Sequence, residues 1–143
     1  MTTMLDPILP VRRKLIAALK GDAPLVAIVG ARIYPAKEPD PVTWPFMRLD
    51  GASSSPFRAD GGAGGEVTGL IHCFVKGGGS ILDPEATCAT INSHVVRIIE
   101  AMDAVALTGD TDLAVHARLS QVIPDPAEAD AFHGVVRYEA LAL

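Results

Sequence analysis

The first candidate for a chemical role is a glycine-rich stretch that could bind phosphate, FRADGGAGGEVTG, at residues 57–69. Glycine-rich turns bind phosphate where their backbone N–H groups converge at the start of a helix. Here the glycines within residues 61–65 lead into a predicted strand, the flanking charges are Asp60 and Glu66, and no lysine lies beside them. Acidic flanks repel a phosphate, and a glycine pattern alone is a weak signal. We therefore interpret the stretch as a flexible loop between two strands.

A second glycine segment, KGGGS at residues 76–80, does run from a predicted strand into a predicted helix. Its lysine, however, precedes the glycines, and Asp83 stands at the start of the helix. A capping carboxylate accepts the N–H groups that a phosphate would need. We interpret the segment as a connecting loop, and anion binding there is the alternative.

Metal-binding patterns are the next candidates. No two of the histidines have the i, i+4 spacing of a helical metal site, and three of them would meet across a sheet only in a fortunate register. We therefore expect polar residues of the sheet surface rather than metal ligands. The three are His72, His116 and His133, and the fourth, His94, lies beside the apolar stripe of the second long helix and is expected at an interface or boundary.

The two cysteines, Cys73 and Cys88, do not form a C-x-x-C pattern. We expect two buried, reduced thiols, with a disulfide as the alternative. Cys73 follows His72 in a predicted strand, so their side chains point to opposite faces and form no catalytic pair. A G-x-S-x-G motif is absent, and no carboxylate pair is placed by pattern. The sequence therefore predicts a protein that is not an enzyme and that has no catalytic residue, cofactor or metal.

Composition bounds the class of protein. The 143 residues are 49% hydrophobic and 20% charged, which predicts one folded domain over residues 1–143. The net charge is −5, and the largest basic cluster is Arg12, Arg13 and Lys14. Binding along a DNA groove needs more cations than this. The first ten residues do not resemble a signal peptide, and no apolar run approaches a membrane span, so we expect synthesis in the bacterial cytoplasm and no membrane partner.

Periodicity predicts an α+β domain with a mostly antiparallel sheet of four to five strands and two main helices packed on one face. A long glycine-rich and polar connection is predicted at residues 51–65. The predicted helices are residues 6–21, a short one at 22–30, and 83–104. The predicted strands are residues 32–34, 46–51, 66–76, 111–122 and 132–143.

The strand at residues 66–76 carries apolar side chains on both faces. Val67, Ile71, Cys73 and Val75 alternate with Leu70 and Phe74, which flank His72. Both faces therefore need cover, but the two helices are expected on one. We expect another subunit on the second face, with ordinary packing inside the chain as an equal alternative for Leu70 and Phe74.

The strand at residues 111–122 shows a simpler alternation. Leu113, Val115, Ala117 and Leu119 are predicted on one side, with polar residues on the other.

The order of segments resembles a family of small tailed-phage proteins associated with tail completion or tail termination, also found in gene transfer agents. The matching stretches are residues 15–35, 44–57, 65–79, 85–102 and 132–142, which begin LIAALKGD, WPFMRLDG, GEVTGLIH, EATCATIN and FHGVVRYE. The resemblance implies a virion protein at the neck of the particle. It forms a ring of about six subunits that caps the head-proximal end of the tail tube, stops polymerisation and meets the head connector. DNA passes through its centre only transiently, and no catalytic residue is implied.

Under this reading the assembly contacts lie in the loop at residues 51–65 and on the second face of the strand at residues 66–76. The candidates are Arg58, Asp60, Gly61, Gly64, Leu70, His72 and Phe74. Two other functions stay open: a connector adaptor of the same head-to-tail assembly, and a small non-virion module that binds an anion or other ligand.

Overall fold

The computed structural model describes residues 6–59, 62–102, 105–108 and 111–142. Its helices are α1 (Ile8–Lys20), α2 (Ala23–Val29) and α3 (Pro84–Glu100). Asp22 and Asp83 cap α2 and α3, as predicted, by accepting hydrogen bonds from the N–H groups of Leu25 and Ala86. Each cap is followed by a proline in the first turn, where no N–H is missed.

Six strands form one sheet in the order β1-β2-β3-β6-β5-β4. Among the described strands only β1 and β2 pair in parallel, so the predicted α+β class with a mostly antiparallel sheet is confirmed. The short strand β4 is an addition to the predicted set. The strands are β1 (Ile33–Tyr34), β2 (Phe46–Ala59), β3 (Gly62–Lys76), β4 (Val105–Thr108), β5 (Thr111–Pro124) and β6 (Ala131–Ala142).

The predicted long loop at residues 51–65 is wrong, because β2 and β3 extend into it as a long hairpin. Backbone pairing continues from Ser53 and Thr68 out to Ala59 and Gly62. Gly51 has a φ of 66°, a left-handed conformation that favours glycine, at a shift of register between residues 50 and 53. Pairing continues beyond this irregularity. The glycines and serines that suggested a loop therefore lie in strands.

The helices cover one face of the sheet, which we call the helix-covered face. α3 packs on β3, β5 and β6, while α1 packs on β2 and against α3. Leu15, Leu19, Ile71, Ile91 and Leu113 are among its fully buried side chains. This aliphatic layer is the main core of the protein, and it confirms that the two main helices share one face.

We call the opposite side of the sheet the helix-free face. Leu119 lies on this face, although it was predicted on the same side as Leu113. Leu119 does not follow Leu113, Val115 and Ala117 into the core, because a bulge in β5 between residues 117 and 119 shifts the alternation. Leu119 pairs with Arg137 of β6 and is 48% exposed.

Candidate functional site

An aromatic cluster lies on the helix-free face, where the register places Phe46, Phe74 and His133 side by side on β2, β3 and β6. The Phe74 ring stacks on Phe46 with centroids 4.8 Å apart and on His133 at 4.4 Å. Trp44, in the loop before β2, meets both phenylalanines edge-on. Offset and edge-on contacts of this kind stabilise aromatic groups beyond simple burial. The cluster therefore gives this end of the face a small core of its own.

A chain of hydrogen bonds crosses the same face. Nε2 of His72 lies 2.5 Å from Oδ1 of Asp50, and its Nδ1 lies 2.6 Å from Nε2 of His133. Since one hydrogen occupies the space between the two ring nitrogens, at least one imidazole is neutral. Burial, followed by repulsion from His72 and Arg48, lowers the pKa of His133.

Arg48 ties this chain to the loop before β2. Its guanidinium lies 2.8 Å from Oε2 of Glu38 and 3.2 Å from Oδ2 of Asp50, with its centre 4.9 Å from the Phe74 ring centroid. Burial disfavours the ionised form of Glu38, but hydrogen bonds from Arg48 and the backbone, together with the charges of Arg48 and Lys37, outweigh it, so the pKa of Glu38 is lowered. The arrangement fixes the rings and charges at this end of the face in place.

Towards β5 the helix-free face becomes open and apolar. Leu119 is 48% exposed, and Ile123 and Leu141 are each 37% exposed. The register places all three on this face, because they pair with Arg137, His133 and, on β3, Glu66. Polar groups on the face are paired with one another: Glu139 lies 2.8 Å from Arg118 and 3.5 Å from Arg137. Exposed apolar groups framed by paired charges are typical of a contact surface.

One edge of the sheet beside this surface is also open. Among the described residues, β4 pairs with Thr111, Asp112 and Leu113 of β5 and not with the remainder of that strand. Among the described strands, the remainder of β5 has β6 on one side and no strand on the other. The N–H of Ala117 on this part of β5 donates to Glu100 at the end of α3, at 2.9 Å. The carbonyl of Gln121 accepts from Asn92 of α3, and no described strand pairs with this edge beyond residue 113, so a further strand could add there.

The predicted assembly residues fall into two groups. Leu70, His72 and Phe74 lie on the helix-free face of β3, but His72 and Phe74 are only 7% and 9% exposed because the chain's own aromatic cluster surrounds them. Leu70 is half-buried.

The second group lies in the hairpin at residues 57–65. Gly64 belongs to β3 opposite Phe57 of β2, and Arg58 is near the end of β2. Asp60 and Gly61 lie outside the described residues. The hairpin therefore continues β2 and β3 beyond the middle of the helix-free face.

Sequence reasoning missed the remaining members of the face. The register that brings His133 to His72 depends on strands 61 residues apart, and no local pattern shows it. His116 does not join them and lies 3.5 Å from Glu100. For Leu141 a signal was available, since Leu141, Arg137, Val135 and His133 alternate with buried residues along β6.

The described residues also bear on three other kinds of site: a metal site, anion binding at the KGGGS segment and a membrane span. Within the described residues, no group of three or more histidine, cysteine or acidic side chains is arranged to hold a metal ion. Lys76 of the KGGGS segment is paired with Glu128, at 3.2 Å. No helix in the described ranges is long and apolar enough to cross a bilayer.

Comparison with known proteins supports the predicted resemblance. One solved structure with the same fold is a chain of the virion of a native gene transfer agent particle, with a TM-score of 0.71 and 18% identity over 97% of this chain and 98% of that one. Another is the gp17 protein of bacteriophage SPP1, with a TM-score of 0.60 and 19% identity over 97% and 94% of the two chains. The comparison with curated proteins gives no match.

The family model for tail completion protein gp17 matches residues 13–142, which is nearly the whole chain. This match confirms the predicted resemblance and gives the chain a structural role in a phage tail. The chain belongs to the tail completion protein gp17 family.

Proposed function

We propose that residues 1–143 act as one structural domain that assembles into a closed ring of about six copies. The ring caps the head-proximal end of the tail tube, stops its polymerisation and joins it to the head connector. DNA crosses the opening only in transit. About six chains of charge −5 would carry roughly −30, which discourages DNA from adhering. The role is structural and requires no catalytic step.

The observation that carries this proposal is the open part of the helix-free face. Leu119, Ile123 and Leu141 present apolar surface that none of the described helices covers, beside the open edge of β5. In a ring with head-to-tail contacts, a surface on one copy meets a different surface on the next. A neighbour seated on these three side chains would remove them from water.

The buried half of the face has a different part in the proposal. Phe74 and His72 are packed within the chain, so they shape the surface from beneath rather than contact the neighbour directly. A charge at Phe74 would disrupt the aromatic cluster and unfold this region. Leu119 is therefore the better position for a test of assembly.

The test compares Leu119→Asp with Leu9→Asp. Both leucines are 48% exposed, but Leu9 lies on α1, away from the helix-free face. Native mass spectrometry over a concentration series, with negative-stain images of the largest species, gives the copy number. We expect rings for the wild type and for Leu9→Asp. For Leu119→Asp we expect the assembly affinity to fall at least about tenfold, because the contact would bury a carboxylate in place of an apolar side chain, and Arg137, opposite on β6, already pairs with Glu139.

Two results would contradict the proposal. A wild-type chain that stays monomeric both alone and with purified tail tubes would exclude the ring. Rings that survive Leu119→Asp but not Leu9→Asp would move the contact to the helical side. Labelling the chain in intact particles then separates a tube cap from a connector adaptor, because the two occupy different levels of the neck.

A further inference from the structure

The two cysteines of the chain meet beneath α3, on the helix-covered face. Cys73 projects from β3 and Cys88 from α3, and their sulfur atoms lie 3.4 Å apart with both thiols free. Both side chains are buried. Since the sequence contains no other cysteine, any disulfide within one chain must join these two.

The neighbouring residues leave room for this pair. Gly134 is the register partner of Cys73 on β6, and a Cβ atom there would stand 2.5 Å from the Cys73 sulfur and 2.8 Å from the Cys88 sulfur. Asn92 holds its side chain in place by donating to the carbonyl of Gln121 at 3.0 Å, and its Oδ1 lies 3.5 Å from the Cys73 sulfur. The sulfurs thus face each other across a space that a glycine keeps clear.

The pair also has a defined order of reactivity. Its hydrogen bond to Cys88, together with burial, raises the pKa of Cys73. The same hydrogen bond lowers the pKa of Cys88. Cys88 is therefore the sulfur that ionises first, and the thiolate is the form that attacks a disulfide.

We propose that Cys73 and Cys88 are a site of covalent modification, closing to an intramolecular disulfide when the protein leaves the reducing cytoplasm for oxidising surroundings. A disulfide requires the sulfurs to approach from 3.4 Å to about 2.05 Å, a small movement of two side chains. The change of surroundings rests on the proposed function, since a released particle enters the extracellular medium. The cross-link itself depends only on the chain.

The oxidant is a low-molecular-weight disulfide such as glutathione disulfide. The Cys88 thiolate attacks one of its sulfurs, forms a mixed disulfide and releases one glutathione thiolate. Cys73 then loses its proton, and its thiolate attacks the Cys88 sulfur and displaces the second glutathione. Two cysteine thiols are oxidised, one glutathione disulfide is reduced to two thiols, and β3 becomes bonded to α3.

The test uses the full chain, either oxidised in its native state with glutathione disulfide or refolded from urea in the same oxidising buffer. Refolding exposes both thiols at once, whereas in the native protein the oxidant reaches them only during local opening of α3 from the sheet, so the native reaction is followed over hours to days. Free thiols are then trapped by alkylation, and intact mass and peptide mapping report the products. We expect a monomeric product lighter by two hydrogens, a linked peptide pair containing Cys73 and Cys88, and a rise in Tm of about 10 °C.

Cys88→Ala is the matched control and should gain neither the cross-link nor the rise in Tm. Recovery of two alkylated thiols after prolonged oxidation of the native protein, or of a stable glutathione adduct without the internal link in either arm, would overturn the proposal. Ring formation by the reduced protein is scored separately. A chain that assembles but does not cross-link refutes this inference alone, and one that cross-links but never assembles refutes the proposed function alone.

Discussion

The two faces of the sheet are built from the same strands but completed in different ways. On the helix-covered face, α1 and α3 close an aliphatic layer in which Leu15, Ile71 and Ile91 are fully buried. On the helix-free face, an aromatic and charged cluster covers one end, while Leu119 and Ile123 remain open. The comparison shows that the chain supplies the burial needed for folding on one face and leaves the other partly available for contacts.

The largest expected difference between the faces is in the cost of truncating an apolar side chain. Ile71→Ala should lower the free energy of unfolding by about 2–5 kcal/mol, because it leaves a cavity in the core. Leu119→Ala should change it by no more than about 0.5 kcal/mol, because water already reaches the side chain. Urea unfolding of dilute, unassembled protein measures both. An equal cost at the two positions would break the distinction between the faces.

The next largest expected effect comes from adding a methyl group to the tightly packed helix-covered face. Gly134→Ala places a methyl group within 2.5 Å of the Cys73 sulfur and 2.6 Å of the Asn92 amide oxygen, so it should cost about 1–3 kcal/mol of stability. Adding Cys73→Ala removes the nearest atom and should recover part of that loss. A double-mutant cycle by urea unfolding gives the coupling, and strict additivity would show that the contact is not the cause.

The smallest expected effect is the pH dependence of folding stability that His133 causes on the helix-free face. The pKa of His133 is below its usual value, so the fold favours the neutral ring. The resulting stability is complete above the unfolded pKa of about 6.5 and is lost as the pH falls through the lower folded pKa. Between about pH 7.5 and about pH 5.5, His133→Gln should therefore lose less stability than the wild type.

Thermal unfolding of both proteins at each pH provides this measurement. His94→Gln is the control, because it removes a histidine from α3, on the other side of the sheet. The lowered pKa values of Glu38 and Glu139 act in a more acidic range and do not enter this window. An identical acid response in His133→Gln and the wild type would show that the burial of His133 and its contact with His72 do not make the folding stability depend on pH.

Local patterns were sufficient for the parts of the fold that depend on local interactions. Asp22 and Asp83 identified the starts of α2 and α3, because a capping carboxylate acts within its own turn. The alternation along residues 66–76 identified the centre of β3 and both of its faces. The family resemblance followed from such segments in order, and the match over residues 13–142 confirms it.

The remaining features depend on a distant partner. Residues 62–65 are glycine-rich, which is unfavourable for a strand, and only pairing with β2 makes them one. Leu119 left its predicted side because of a bulge that the apolar alternation does not reveal. The Asp50–His72–His133 chain requires the register of three strands, so adjacency in sequence could not predict it.

The part of the β5 edge that pairs with none of the described strands has a consequence for how such an assembly could evolve. A strand added there would bond to main-chain N–H and C=O groups, which all residues except proline carry alike. Substitutions along β5 would then leave the bonds between copies in place while the side chains changed freely. A contact of this kind is inherited with the backbone, and the backbone is what this chain shares with structures only 18% and 19% identical to it.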